Sequence, residues 1–192
     1  MTYIYPKLPA TYLTTPYFRL GGNGLANCLY VYARAIVMAK KFSGKIITPP
    51  WFNVVFSGYI HHRQDKRHYL GLFKSCDEII GIKKLWLTII AKKSFEDNPI
   101  ANSVVVVEGL GNYFKDILED GKYVGAYIYS HLHKNVISKV DAFDFSNCVA
   151  VHVRLGDYAA NRRTPLEWYA ERIKEFTTQR VLLFSDGTEE EL

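Results

Sequence analysis

The chain has 192 residues, 48% of them hydrophobic, and it carries 24 Lys and Arg against 19 Asp and Glu, a net charge of +5. The high hydrophobic fraction and the ordinary charged fraction of 22% exclude intrinsic disorder, and the 13 Gly and 7 Pro exclude collagen-like and low-complexity chains. No apolar run approaches the ~18 residues of a membrane-spanning helix, so we expect a globular protein with its own hydrophobic core.

The first predicted elements are a strand, a Gly-rich turn, a helix and a second strand. Residues 17–20 are a short strand candidate, and residues 21–24 read Gly-Gly-Asn-Gly. Apolar residues then recur every three or four positions, which predicts a helix with one apolar face that runs to Lys41 and stops near Gly44. Residues 45–48 are predicted to form the next strand.

The middle of the chain is patterned less regularly. Residues 51–69 lack a regular hydrophobic repeat and are assigned to a surface loop or irregular insertion. Residues 79–90 are apolar, and their pattern does not distinguish a strand from a helix. Residues 103–108 contain four consecutive valines and predict a buried strand of a parallel sheet. Residues 113–118 are expected to begin a helix, and residues 123–129 are a further strand candidate.

The clearest strand covers residues 147–154, with Val149, Val151 and Val153 on one face. After a loop, residues 164–167 read Thr-Pro-Leu-Glu, a capping box with Pro165 at the first helical position, and they open a helix to about residue 176. Residues 180–184 form the last predicted strand. Strands alternate with helices throughout, which predicts an α/β protein with parallel sheets.

Charge and cysteine content indicate the surroundings of the protein. Residues 1–64 contain seven Lys and Arg but no Asp or Glu, so this part would attract an anion, although a solvated basic face explains the same cluster. The three cysteines, Cys28, Cys76 and Cys148, have the spacing of neither metal ligands nor paired disulfides. Because the first 13 residues also lack the apolar stretch of a signal peptide, we expect a cytoplasmic protein.

The Gly-rich turn is the first candidate binding site. A turn that follows a strand and opens a helix is the setting in which backbone N–H groups and the helix dipole hold a phosphate. Asn27 stands where a dinucleotide-binding fingerprint would have its third Gly, so the pattern alone is equally compatible with a plain tight turn.

The second candidate site is the sequence His-Val-Arg-Leu-Gly-Asp-Tyr at residues 152–158. It lies at the carboxyl end of a predicted parallel strand, the edge at which open α/β sheets bind ligands. His152 and Arg154 share one face of the strand about 7 Å apart, and the Arg154 guanidinium suits phosphate oxygens. The structural alternative is an ion pair between Arg154 and Asp157 that only shapes the turn.

These residues resemble the GDP-fucose-dependent α-1,2-fucosyltransferases, glycosyltransferase family 11, which carry a His-x-Arg-x-Gly-Asp-Tyr motif. Residues 24–33, 113–117 and 184–186 resemble further motifs of that family, in the same order along the chain. Four positions depart from the motifs: Ala26, Cys28, Leu155 and Gly187. The family's last motif has no counterpart before Leu192, so the resemblance implies a chain truncated at its carboxyl end.

The resemblance implies a GT-B-like architecture. Residues 1–146 would form a Rossmann-like amino-terminal domain, and residues 147–192 would form the first βαβ unit of an incomplete GDP-sugar-binding domain. The implied reaction is inverting, metal-independent transfer of fucose from GDP-fucose to a hydroxyl of a galactose-containing glycan. The alternative is a non-catalytic remnant that binds a GDP-sugar or another anion.

The resemblance also assigns roles to individual residues. Arg154 would neutralise the β-phosphate of the departing GDP, and the base that deprotonates the acceptor is either His152 or Asp157, although His152 also fits a structural role. The remaining donor-binding candidates surround the phosphates, the sugar and the nucleoside: Gly24, Asn27, Gly156, Ser185 and Asp186.

Three other functions have some support from the sequence. A metal site would draw on five histidines that lack a recognisable ligand spacing: His61, His62, His68, His131 and His133. The basic cluster at residues 61–68 would suit nucleic acid, but a solvated loop is the simpler interpretation. Lysine pairs flank the apolar residues 85–91, which would suit a membrane surface, whereas a core element with charged ends is the default expectation.

Overall fold

The structure is a computed structural model that describes residues 1–22, 24–55, 69–155, 163–176 and 179–185. Contacts divide the chain into two compact units, Met1–Ser138 and Lys139–Leu192. Among the described residues, no helix has both the length and the apolar character needed to cross a membrane.

Nine strands and five α-helices cover most of the described chain. The strands are β1 (Tyr3–Pro6), β2 (Leu13–Thr14), β3 (Phe18–Leu20), β4 (Lys45–Ile46), β5 (Phe52–Val54), β6 (Lys93–Phe95), β7 (Val104–Val107), β8 (Cys148–Val153) and β9 (Arg180–Ser185). The α-helices are α1 (Leu25–Lys41), α2 (Gly81–Ile89), α3 (Gly121–Ser130), α4 (Lys134–Asp141) and α5 (Leu166–Ile173), and 3-10 turns cover Lys115–Asp120 and Lys174–Phe176.

The first unit is built on a parallel four-stranded sheet in the order β4-β1-β7-β6. Every residue of β7 is buried, which confirms the predicted buried strand. The central strand β1 was not predicted, although it pairs with β7 along its whole length, from Tyr3 with Val104 to Pro6 with Val107. The α/β class with parallel sheets is therefore confirmed.

Helix α1 connects β1 with its parallel neighbour β4 and confirms the predicted amphipathic helix. Its buried face, with Cys28, Val31 and Ile36 fully buried, packs in one core with Ile4 and Val107 of the sheet. Lys40 and Lys41 lie in its last turn, where the helix dipole favours positive charge.

A second small sheet changes the expected arrangement around the Gly-rich turn. Strand β3 precedes the turn, as predicted, but it pairs with β2 and β5 and is not a strand of the main sheet. Residues 7–24 are thus an insertion between β1 and α1. The assignment of residues 51–69 to a loop was wrong for Phe52–Val54, because this segment pairs in parallel with β3.

Two further local predictions need correction. The strand candidate at residues 123–129 is part of α3, because Val124, Tyr127 and Ile128 lie at helical spacing and pack against the core that contains α1. The predicted capping box is wrong, since Pro165 is the N-cap residue, α5 begins at Leu166, and no side-chain cap is present among the described residues.

The second unit contains the predicted βαβ unit of β8, α5 and β9. Six consecutive residue pairs join the two parallel strands, from Cys148 with Arg180 to Val153 with Ser185. As the alternation predicts, Val149, Val151 and Val153 are more buried than Ala150 and His152.

Candidate functional site

The structure places the sequence-predicted site residues in two groups. Gly24 and Asn27 lie at the start of α1 in the first unit, whereas His152, Arg154 and Ser185 lie at one edge of the β8–β9 sheet in the second. Three further candidates lie outside the described residues: Gly156, Asp157 and Asp186.

The Gly-rich turn contains backbone conformations that favour glycine. Gly21 and Gly22 have φ values of +68° and +130°, which side-chain-bearing residues rarely adopt. Gly24 is the extended N-cap of α1, and Asn27 lies half-buried in the first helical turn. The first amide groups of a helix have no intrahelical acceptor, so this end can donate hydrogen bonds to an anion.

Two buried polar residues near this turn were not identified by the sequence analysis. The Arg19 side chain is fully buried, and it donates hydrogen bonds to the carbonyls of Pro9 (2.7 Å) and Pro50 (3.0 Å). Asn53 is also fully buried and pairs in register with Arg19. Among the described residues, Nδ2 and Oδ1 of the Asn53 side chain and Nη2 of Arg19 have no hydrogen-bond partner. The sequence did offer one signal for this buried pair, namely an Arg inside a strand that leads into a Gly-rich turn.

The segments 24–33 and 113–117 lie against each other in the first unit. Tyr30 of α1 packs edge-on against Tyr113 and Phe114, with ring centroids 5.0 and 4.2 Å apart. The segments 24–33 and 113–117 thus share an aromatic contact across a long separation in sequence.

The carboxyl edge of the main sheet is tied together by charged side chains. Lys7 follows β1 and forms an ion pair of 2.7 Å with Glu108, which follows β7. Arg34 of α1 is buried, donates to the Glu108 carbonyl at 2.7 Å, and lies 3.2 Å from Glu96 beyond β6. These charges neutralise one another, which indicates a structural role for this edge.

In the second unit, the predicted residues lie at one edge because the strands are parallel and in register. Val153 pairs with Ser185, so β8 and β9 end at the same edge, and Arg154 follows directly after β8. His152 and Arg154 are both exposed, on the face opposite to the valines. Ser185 pairs with Val153 and is half-buried, so its side chain lies on the valine face, whereas the imidazole and the guanidinium are exposed on the other face of the same edge.

A buried titratable cluster lies elsewhere in the first unit. The Tyr32 hydroxyl donates to the Glu78 carboxylate at 2.5 Å, and burial raises the pKa of Glu78. Lys84 is buried near the same carboxylate, and burial lowers its pKa to about 8. A cavity of about 650 Å³ opens beside this cluster at the amino end of β4, lined in part by Lys40, Lys45, Cys76, Asp77, Tyr123 and Tyr127.

The shifted pKa of Lys84 predicts a dependence of stability on pH. Between pH 8 and about 10 the unfolded chain holds a proton on Lys84 that the folded chain releases, so the free energy of unfolding should rise with pH. We expect Lys84→Met to stabilise the protein by about 1–2 kcal/mol at pH 7 and by less at pH 10. Urea unfolding at both pH values measures this, with the exposed neighbour Lys83→Met as the control. Equal effects of the two substitutions would contradict it.

Comparison of the chain with protein-family models, curated proteins and solved structures found no match. Within the described ranges, no group of three or more His, Cys, Asp or Glu side chains is arranged to hold a metal ion. Of the five histidines considered for such a site, His61, His62 and His68 lie outside those ranges. His131 is buried, and its ring stacks on that of Tyr127 at 4.1 Å.

Proposed function

We propose that the protein is a GDP-fucose-dependent fucosyltransferase that acts on a galactoside hydroxyl, with α-1,2 linkage and inversion at the anomeric carbon. The observation that carries the proposal is the shared carboxyl edge of β8 and β9, where His152 and Arg154 lie exposed on one face. Ligands of open α/β sheets bind at the carboxyl ends of the strands, which is where these residues lie.

The chemistry of glycosyl transfer matches the side chains at this edge. The bond to the anomeric carbon breaks through an oxocarbenium-like state, and the GDP that departs needs a fixed positive charge near its β-phosphate. Arg154 supplies a planar guanidinium with donors for two phosphate oxygens. The acceptor hydroxyl must lose a proton to a base, for which we retain both His152 and Asp157.

Further residues are proposed to bind the donor. Ser185 ends β9 at the same edge, on the face opposite to Arg154, and is proposed as a donor-binding residue, as is Asp186, which follows it in sequence. In the first unit, Gly24 and Asn27 are proposed as donor-binding residues, because the start of α1 presents backbone N–H groups.

Binding and turnover measured on one sample test the proposal. We expect calorimetric titration to show that GDP binds more tightly than ADP or UDP. Incubation with GDP-fucose and lactose should release GDP and yield a fucosylated product. GDP binding without transfer would instead support a non-catalytic GDP-sugar-binding protein, and the absence of both would refute the proposal.

Donor binding and transfer are expected to be independent of divalent metal. The proposed site neutralises the diphosphate with a guanidinium, so no Mg²⁺ or Mn²⁺ is needed as a counterion. The GDP dissociation constant and the transfer rate should therefore be the same in excess EDTA as in millimolar Mg²⁺ or Mn²⁺. A rate that falls in EDTA and recovers with either metal would point to a different class of glycosyltransferase.

A further inference from the structure

Helix α2 turns most of its apolar side chains toward solvent. The exposed fractions are 86% for Ile82, 53% for Trp86 and 60% for Ile89, and Ile90 directly after the helix is 69% exposed. Side chains three and four positions apart lie on the same face of a helix, so these residues form one continuous apolar arc. The default expectation of a core element at residues 85–91 is therefore wrong for most of its residues.

The orientation of α2 is held by contacts on its opposite side. Leu87 is only 2% exposed and packs with Tyr5, Ile47 and Val104 in a core cluster. Thr88 is buried and its hydroxyl donates to the carbonyl of Lys84 at 2.7 Å. The inner side of the helix is thus already packed, and the outward arc has no partner within the described chain.

Every charged residue of the segment that carries the arc is a lysine, and acidic residues flank the segment at positions 77–78 and 96–97. The segment from residue 79 to residue 95 contains four lysines and no Asp or Glu. Lys83, Lys92 and Lys93 are exposed and lie close to the apolar arc in sequence. A Trp and aliphatic side chains bordered by lysines are the composition of helices that lie in the interface of a membrane.

We propose that this surface, made of Ile82, Trp86, Ile89, Ile90 and the three exposed lysines, docks on an anionic lipid bilayer. The apolar arc would enter the headgroup region while the lysines contact lipid phosphates. Charge complementarity favours this partner over a second copy of the chain. In a two-fold symmetric dimer through α2 the same patch would lie on both sides of the interface, so lysines would be brought near lysines with no carboxylates of the patch between them. The proposal is independent of the fucosyltransferase function.

Sedimentation with lipid vesicles tests the docking surface. The full chain should pellet with phosphatidylcholine vesicles that contain about one-third phosphatidylglycerol, much less with pure phosphatidylcholine, and less at high salt. The double substitution Ile82→Ser and Ile89→Ser should weaken binding about tenfold or more, because the arc loses its most exposed aliphatic groups. Lys92→Glu with Lys93→Glu should abolish the preference for anionic vesicles.

A matched control separates docking from general hydrophobicity. Leu118 is 71% exposed on another element, so Leu118→Ser removes a similar apolar group and should leave vesicle binding unchanged. Circular dichroism and thermal melting establish that each variant is folded. Failure of the folded wild-type chain to bind anionic vesicles, or equal binding by the Ile82 and Ile89 double variant, overturns the proposal. So does a wild-type dimer that this double variant converts to a monomer without any vesicle binding.

Discussion

Gly22→Ala is expected to destabilise the first unit by about 3 kcal/mol or more. The φ of Gly22 is +130°, a backbone conformation essentially confined to glycine. A Cβ at this position would lie 2.6 Å from the carbonyl oxygen of Pro9 and 3.0 Å from Cα of Ala10. Both contacts are with backbone, so no side-chain rotation relieves them.

The surrounding hydrogen bonds prevent the two segments from moving apart. The Pro9 carbonyl accepts a hydrogen bond from buried Arg19, whose Nε also donates to Pro50. On the other side, the amide of Gly21 donates to the Val54 carbonyl at 2.8 Å. A shift of the turn would therefore disturb the β2-β3-β5 sheet and leave the buried guanidinium with fewer acceptors, which is costly.

Gly24→Ala is the matched control for this substitution. Gly24 has φ −65° and ψ 176°, which any residue adopts, and no atom lies within 4 Å of an added Cβ. Because alanine is a poorer N-cap than glycine, the Gly24→Ala protein should be less stable than wild type by no more than about 1 kcal/mol. Urea denaturation of the three proteins measures both effects. A Gly22→Ala protein as stable as the Gly24→Ala protein would show that the packing of the turn does not depend on glycine.

Elements with a regular hydrophobic period could be predicted from the sequence. Helix α1 repeats its apolar residues every three or four positions, β7 is a continuous run of buried valines, and β8 alternates its more buried valines with exposed residues. Strand β1 has only four residues and ends in Pro6, too short for a period, and it becomes a strand because β4 and β7 pair with it.

Tertiary contacts explain the other misassigned segments. Residues 123–129 are rich in aromatic and β-branched side chains, which favour strands in isolation. In the folded chain Val124 is buried in the core beside α1, and a helix is the conformation that places Tyr127 and Ile128 there as well. Strand β5 likewise depends on pairing with β3, which is distant in sequence.

The candidate site was predictable where it follows from one βαβ unit. Parallel strands in register end at the same edge, so the positions of Arg154 and Ser185 at that edge could be expected from the sequence, whereas the face on which each lies depends on the register. The pairing of Arg19 with Asn53 could not be predicted, because it depends on the register between β3 and a segment interpreted as a loop.

Substitution of Arg154 is expected to have the largest effect on function. Arg154→Ala should lower the transfer rate by about 10²-fold, because the departing GDP would lose its fixed positive charge. Arg154→Lys should also lose much of the rate, since an ammonium group cannot bind two phosphate oxygens in the geometry of a guanidinium. Weaker GDP binding by both variants should accompany these losses.

Arg180→Ala is the control within the same sheet. Arg180 begins β9, at the edge opposite to Arg154, where its guanidinium donates to the Asp144 carbonyl and lies 5.0 Å from the ring of Phe143. Its removal should lower the melting temperature without changing GDP affinity per folded molecule. If Arg154 serves only to shape its turn through Asp157, Arg154→Ala should behave in the same way as Arg180→Ala. GDP titration, transfer rate and melting temperature measured on all four proteins separate the two roles, and normal turnover by Arg154→Ala would remove Arg154 from the proposed donor site.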